Sequence, residues 1–435
     1  MRIRGGAWRF ALLAALASPG LARAAGYGIY EAGAAVMGMA GAGTASVHDA
    51  SAVFYNPAAL TRILAAEGAG PKGLFYLGGS ALNPFSSFAG VNPYPGYGVT
   101  EHMEANVFAI PALYYARRIG ERFAGGLGVN SPYGLGVEWS DPDRFTGRYI
   151  VTEAKLEVAN LGLCAAYQIS PMVSVAAGGN ALFSKVRLQN HILQPAPGGG
   201  GGQVDVAEAR LESTWEPGYG WNAAVSVAPN DRWRLGAFYR GKVVTQASGD
   251  ATFKQILTGN PSFDAAVAAG LPPDQGVNTV LRFPAIWSGG VAWTPERWTI
   301  ETALVFTEWS LFRDLPLEFD QTPQNNRAIV ENYDDALAIR FGVEHRLPSW
   351  TYRFGYYFEQ EAAPAASVSP LLPDAPRHGV TLGLGFTPWS NVSVDLYNLA
   401  LFTERRGTEG VNRDGFDGEY RTYVNAAGLN VGFRW

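Results

Sequence analysis

The chain has 435 residues, 47% hydrophobic and 16% charged, with 53 Gly, 12 Trp, 20 Tyr and 23 Phe; so few charges among so many aromatics exclude a disordered polypeptide. A net charge of -5 removes the electrostatic basis for binding nucleic acid. Cys164 stands alone, which rules out an intrachain disulfide and any structural zinc site built on several cysteines.

Residues 1–24 read as a signal peptide. Arg2, Arg4 and Arg9 precede the apolar run Phe10 to Ala17, Ser18-Pro19-Gly20 breaks it, and Ala22-Arg23-Ala24 fits a small-x-small cleavage site, so the mature chain is expected to begin at Ala25. No later stretch approaches the ~20 uninterrupted apolar residues of a transmembrane helix. An exported chain with a mean hydropathy of -0.02 is then periplasmic, secreted or a transmembrane β-barrel, whose alternating strands average to near zero.

Residues 25–64 do not alternate. Ala25 to Ala45 is mostly Gly and Ala, and Asn56-Pro57-Ala58 reads as an N-cap followed by proline at the first helical position, opening a short helix to Leu64. A segment of this length joined to a barrel is a periplasmic tail or a plug in the lumen. Small, weakly charged residues favour the plug, and residues 25–64 are assigned as an N-terminal hatch.

Residues 65–435 alternate, as a transmembrane barrel does. The third strand, Phe123 to Tyr133, carries Asn130-Ser131-Pro132-Tyr133-Gly134. Proline removes a ladder donor, so the strand bulges or breaks pairing there, or ends at its outer rim. Further on, apolar residues sit at even positions from Ala154 to Val158 but at odd positions from Leu161 to Tyr167, which predicts a bulge near Ala159-Asn160, with Cys164 a small lipid-facing residue. Trp233, Leu235, Ala237 and Tyr239 share one strand face opposite Arg234, Gly236 and Arg240. Phe253, Ile256 and Leu257 fall at helical spacing, and Phe263 to Leu271, with Val267 between, reads as a short amphipathic helix after Asn260-Pro261. Apolar residues on an outer loop either gather a greasy ligand or pack on neighbouring loops; the first reading makes Ile256, Leu257, Phe263, Val267 and Leu271 candidate ligand-binding residues. Trp298 to Phe306, Leu337 to Val343 and Tyr352 to Phe358 alternate likewise, and Leu429, Val431, Phe433 and Trp435 close the chain in the same register.

Connections alternate in length. Short turns near 119–122, 170–172, 229–232, 295–297, 348–350 and 388–390 lie between long stretches around 83–101, 134–147, 191–209, 254–277, 320–331, 362–376 and 404–420. Short turns on one side and long loops on the other mark an outer-membrane barrel. Thirteen connections join fourteen strands, so the expected fold is all-β: a 14-stranded antiparallel transmembrane β-barrel with the hatch inside its lumen. Closure has a physical cause, because hydrocarbon offers no water to pair an open sheet edge. Arg234, Arg240, Arg340 and Arg353 point inward, and the first two are candidates to meet a ligand carboxylate; Glu301, Glu344, Glu359 and Asp395 are also inward and can pair with these arginines. No G-x-S-x-G or H-E-x-x-H occurs and the five His are scattered, so no catalytic residue, metal site or cofactor is expected.

The segment around Asn56-Pro57-Ala58, Phe145-Thr146-Gly147-Arg148-Tyr149, Thr307-Glu308-Trp309-Ser310, Asn332-Tyr333-Asp334-Asp335 and Pro373-Asp374 resembles, in order along the mature chain, the FadL family of outer-membrane transporters. The resemblance implies passive uptake of hydrophobic molecules (fatty acid, alkane or aromatic), with an inward kink at Asn130 to Gly134 opening the wall for lateral release into the membrane. It also implies contact with outer-membrane lipid and lipopolysaccharide, recognition of the strand ending in Trp435 by the barrel-assembly machinery, and a monomer. The glycine run Gly198 to Gly202 departs from the helix the family usually carries there, which leaves a two-walled outer groove without its second wall. The competing reading is a general diffusion porin, which has no use for a plug.

Overall fold

The computed structural model describes residues 26–64, 72–198, 202–408 and 410–435; the signal-peptide assignment to residues 1–24, Ala25 and residues 65–71 lie outside them. Fourteen strands close into one antiparallel barrel: β1 (Gly73–Gly90), β2 (Phe108–Ile119), β3 (Phe123–Asn130), β4 (Glu153–Ser170), β5 (Val173–Pro195), β6 (Glu216–Val227), β7 (Trp233–Arg240), β8 (Ile286–Trp293), β9 (Trp298–Thr307), β10 (Ala336–Arg346), β11 (Trp350–Glu359), β12 (Arg377–Trp389), β13 (Val392–Thr403) and β14 (Gly418–Arg434). Each pairs with the next, and β14 returns to β1 from Leu74↔Arg434 to Gly90↔Gly418. That last ladder leaves no edge facing lipid.

Alternation sorts the side chains as the sequence pattern requires. Trp233, Trp298, Trp350, Trp389 and Trp435 face outward near the short turns, where they form an interfacial belt. Ring pairs such as Trp298 on His345 (4.1 Å) and Trp350 on Phe386 (4.6 Å) join adjacent strands there. Towards the long loops, Trp221, Tyr239 and Trp287 form a second belt. Above the rim the sheet continues: upper β5 pairs with Gln203–Ser213, that strand with Val243–Gln255, and that in turn with Gln275–Phe283.

Two expectations from the sequence are corrected. β4 pairs with β5 in unbroken register from Glu153↔Gln189 to Gln168↔Ser174, and the irregularity lies at Gln168/Ser170, not near Ala159-Asn160. Ala154, Leu156, Val158, Asn160, Gly162 and Cys164 all face inward; Leu161, Leu163 and Ala165 face outward. Apolarity changes face without a change of register, because the strand leaves lipid on its outer side and enters an apolar chamber on its inner side. Cys164 is therefore an inward residue, 6% exposed, with Sγ 3.7 Å from the Gly126 carbonyl.

Residues 26–64 lie against inner strand faces on many sides. They hold three single-turn helices, α1 (Ala34–Met37), α2 (Ala52–Tyr55) and α3 (Leu60–Ile63), with a 3-10 turn at Pro57–Ala59. Asn56 Oδ1 accepts from Ala58 N (3.1 Å), the predicted cap, while its Nδ2 donates to Thr44 O (2.7 Å) and to Val225 O of β6 (3.1 Å). Inward strand positions opposite the segment are small. A side chain on Gly236 would collide with the Thr44 carbonyl, and one on Gly126 would meet Val53 and Leu60.

Candidate functional site

The wall is interrupted at β3. Pairing with β4 runs to Asn130↔Asn160 and resumes at Leu135↔Leu156, so four residues, Ser131 to Gly134, stand opposite three, Glu157 to Ala159. The surplus residue and the missing Pro132 N–H turn the chain inward. There it pairs with the N-terminal segment instead: Ile29 N donates to Pro132 O and Gly134 N to Tyr27 O, both at 2.9 Å. A Cβ on Gly134 would stand 2.7 Å from Ile29 Cδ1, so a side chain there would require the end of Ile29 to shift. Tyr133 is buried in the lumen, its hydroxyl donating to Pro284 O (2.8 Å). Pro132 thus breaks the strand without ending it, since Leu135–Glu138 continues upward on β4.

Beside this break lies a cavity of about 670 Å³. It touches Lys155, Glu157 and Ala159 on the outer face of β4 and Leu156 and Val158 on the inner face. Neighbouring residues of a strand point to opposite sides, so the cavity is bounded by residues of both faces of the wall at the break. Its luminal side meets Tyr27, Asp374 and Arg377. A narrower chamber of about 50 Å³ adjoins it, sharing Tyr27, Leu135, Leu156 and Leu372, and is walled mainly by hydrocarbon: Val186, Leu188, Leu281, Phe283, Phe312 and Leu315. Tyr27 anchors this region, its ring 4.6 Å from Trp309 and 5.3 Å from Phe312, its hydroxyl bonded to Arg282 O.

Below the cavity the N-terminal segment is tied to the wall by charge. Glu301 accepts from Ala45 N and Ser46 N, both at 2.8 Å. Arg340 donates to Ala40 O (2.9 Å) with its guanidinium 4.1 Å from the Tyr30 ring and 4.6 Å from Tyr357. Arg353 bridges Glu344 and Asp395 at 2.7 Å each. Buried charges of this kind persist only where paired. At the top, Asp374 Oδ1 accepts from Gly26 N (3.2 Å) and Oδ2 from Ala362 N and Ala363 N (2.6 and 2.7 Å), while burial still holds its carboxyl above the ordinary value. Among the described residues no three His, Cys, Asp or Glu side chains gather as metal ligands.

The residues singled out as ligand-binding do not come together. Arg240 is stacked on Phe54 (4.2 Å) and donates to Phe54 O, and Arg234 lies on the same inward face towards the short-turn end of β7. The outer loop holds a helix, α4 (Pro261–Gly270), capped by Asn260 Oδ1 accepting from Phe263 N. The helical spacing read at 253–257 is not helix: Phe253 belongs to the strand Val243–Gln255, and Ile256 and Leu257 lie between that strand and α4. Val267 is buried, Phe263 and Leu271 half-buried, and Leu257 is 73% exposed. None of these seven residues lines either cavity. The cavity walls come from residues on separate strands and loops, with no shared local pattern. Gly198 and Gly202 belong to the turn of a β-hairpin, with residues 199–201 outside the described set.

The closed fourteen-stranded barrel is shared with known proteins. The relatives include the long-chain fatty acid transport protein of Escherichia coli O6:H1, 24% identical over 94% of both chains, and the 47 kDa outer membrane protein of Pasteurella multocida, 26% identical over 96% of this chain and 95% of the relative. Among solved structures, a Pseudomonas aeruginosa FadL homologue superposes with a TM-score of 0.82 at 21% identity, covering 94% of this chain and all of that one; the Pseudomonas putida toluene transporter TodX superposes at 0.69 with 16% identity, covering 93% and 98%. The family model for outer membrane protein transport proteins (OMPP1/FadL/TodX) matches residues 14–435, and the chain belongs to that family of the bacterial outer membrane.

Proposed function

We propose that this protein carries hydrophobic molecules passively across the outer membrane, from the outer loops into the cavity and then sideways through the break at Asn130 to Gly134 into the bilayer. The observation that supports this reading is that the cavity is bounded by both faces of β4 beside the break in β3, while residues 26–64 lie against the inner strand faces beneath it. Residues 25–64 act as a hatch that bars a straight aqueous path. An apolar route suits the task, since each CH₂ removed from water contributes about 0.8 kcal/mol. Leu257, Phe263 and Leu271 offer a greasy surface beside α4 where ligand is first gathered. The relatives' names span long-chain fatty acids and toluene, and both classes suit walls of this kind. The chain is read as a transporter with no catalytic role, inserted as a monomer through recognition of the strand ending in Trp435. A general porin is disfavoured by the occupied lumen.

The test is obstruction of the side opening. Ala159→Trp, at the gap on the outer face of β4, should lower uptake of radiolabelled hexadecane or palmitate in cells while leaving passage of a small hydrophilic antibiotic as it was. Equal uptake by the variant and the parent would rule out release through the wall.

A further inference from the structure

Three of the short turns repeat one triplet, an acid, an arginine and an aromatic: Glu121-Arg122-Phe123 before β3, Asp231-Arg232-Trp233 before β7 and Glu296-Arg297-Trp298 before β9. The three aromatics are exposed at the short-turn end of the barrel, on the interfacial belt. All six charged side chains are exposed too, and among the described residues none of them makes a side-chain hydrogen bond or an ion pair, in contrast to nearby Arg346, which lies 3.3 Å from Glu344. Backbone geometry fixes where they stand. Asn230 Oδ1 accepts from Arg232 N (2.9 Å) and Trp233 N (3.0 Å), and Trp298 N donates to Pro295 O (2.8 Å) around Glu296, whose φ is 46°. Thr294 stitches these two turns together, its N donating to Arg232 O at 2.7 Å and its Oγ1 to Asp231 O at 3.2 Å. Two carboxylates and two guanidinium groups therefore sit on adjoining turns, unpartnered, at the edge of the bilayer.

We propose that these turns seat the headgroup of a phospholipid that carries both a phosphate and a primary ammonium, an ethanolamine lipid of the periplasmic leaflet. The proposal goes beyond the transport reading and does not depend on the route of the cargo. Short turns of such barrels lie on the periplasmic side, and an arginine next to an interfacial aromatic stands at the depth of the lipid phosphates. Its planar guanidinium matches two phosphate oxygens at once. The neighbouring carboxylate is an acceptor only and takes an N–H of the ammonium. That carboxylate decides between lipids: a choline headgroup has no N–H to donate, and a headgroup that is solely anionic brings its charge against Asp231 or Glu296. Neither the turn nor the belt demands the charges, since Pro348-Ser349-Trp350 turns the chain and supplies its exposed tryptophan without any. Polar residues in any order would satisfy a solvated turn, whereas here the acid comes first and the aromatic last all three times.

The experiment is native mass spectrometry of the full-length purified protein, stripped of lipid in detergent and offered dioleoyl phosphatidylethanolamine, phosphatidylcholine and phosphatidylglycerol in equal amounts. Two triple variants run alongside, Glu121→Gln with Asp231→Asn and Glu296→Gln, and Arg122→Gln with Arg232→Gln and Arg297→Gln. The parent should hold the ethanolamine lipid about fivefold more tightly than either competitor, the value of one exposed charge pair. Removing the acids should bring the ethanolamine and choline lipids to within about twofold of each other and raise the glycerol lipid to at least their level. Removing the arginines should weaken all three lipids. The ranking shown by the parent needs no variant, so a triple variant that fails to fold does not obscure the result. Equal affinity of the parent for the three lipids, a parent that prefers the glycerol lipid, or an ethanolamine preference that survives loss of the acids overturns the proposal and leaves transport standing.

Discussion

Deleting Ser131 and replacing Pro132 by valine should close the side of the barrel. The break exists because four residues face three on β4; removing one lets Asn130↔Asn160 run on to Leu135↔Leu156 without a register shift. Parity is kept, since Pro132→Val then points to lipid and Tyr133 to the lumen. The valine also restores the N–H that proline lacks. Residues 108–111 of β2 and 157–159 of β4 would gain ladder partners, roughly four new bonds at about 1 kcal/mol each. Against this stand the two bonds to Tyr27 and Ile29 that hold the kink inward. The net is about 2 kcal/mol in favour of the straightened wall. Two assays read it: the denaturant midpoint of the purified barrel should rise, and uptake of labelled hexadecane or palmitate should fall to that of cells lacking the protein. A stabler barrel that takes up hydrophobic cargo at the parental rate would refute the reasoning, because the wall would be shut and the route unaffected.

Gly236→Val places a side chain against Thr44 O and should unseat residues 43–56, raising sensitivity to a hydrophilic antibiotic; Gly289→Val on neighbouring β8, where a Cβ meets nothing, should leave sensitivity at the parental level. Asn56→Ala removes the cap on Ala58 N and the donors to Thr44 O and Val225 O, and should cost about 2 kcal/mol by denaturant midpoint. Burial pushes the Glu331 carboxyl up to about 7, from an ordinary value of 4.5, in spite of Arg413. A raised carboxyl contributes stability in full below about 4.5 and loses it as pH rises through about 7, so amides of residues 327–335 should exchange faster at pH 8 than at pH 5. Glu331→Gln should flatten that difference, and an equal difference in the variant would count against the assignment.

Strand number and facing were legible because lipid imposes them. Alternation such as Trp233 to Tyr239, with short and long connections taking turns, has one closed solution, and the fourteen ladders follow it. The Asn56-Pro57 cap and the helix after Asn260 were legible for a local reason: a side-chain acceptor meets an amide two or three residues away. The facing of β4 was misread because period-two reasoning assumes that the apolar side is always the lipid side. Ala154 and Leu156 are apolar for the narrow chamber and Val158 for the larger cavity, and only a folded barrel has an inside.

The sequence by itself determined an outer-membrane barrel, because every residue of a strand answers to water or hydrocarbon on a known period. Only the tertiary structure decided where the strand pairing breaks and what lines the cavity beside it. Ser131 to Gly134 became a gap because one residue too many met a register set by β4, and Tyr27, Glu331, Tyr333 and Leu372 share a chamber because barrel closure stacks the loops that carry them. Contacts between residues hundreds of positions apart have no local period, so they exist only once the ring is shut.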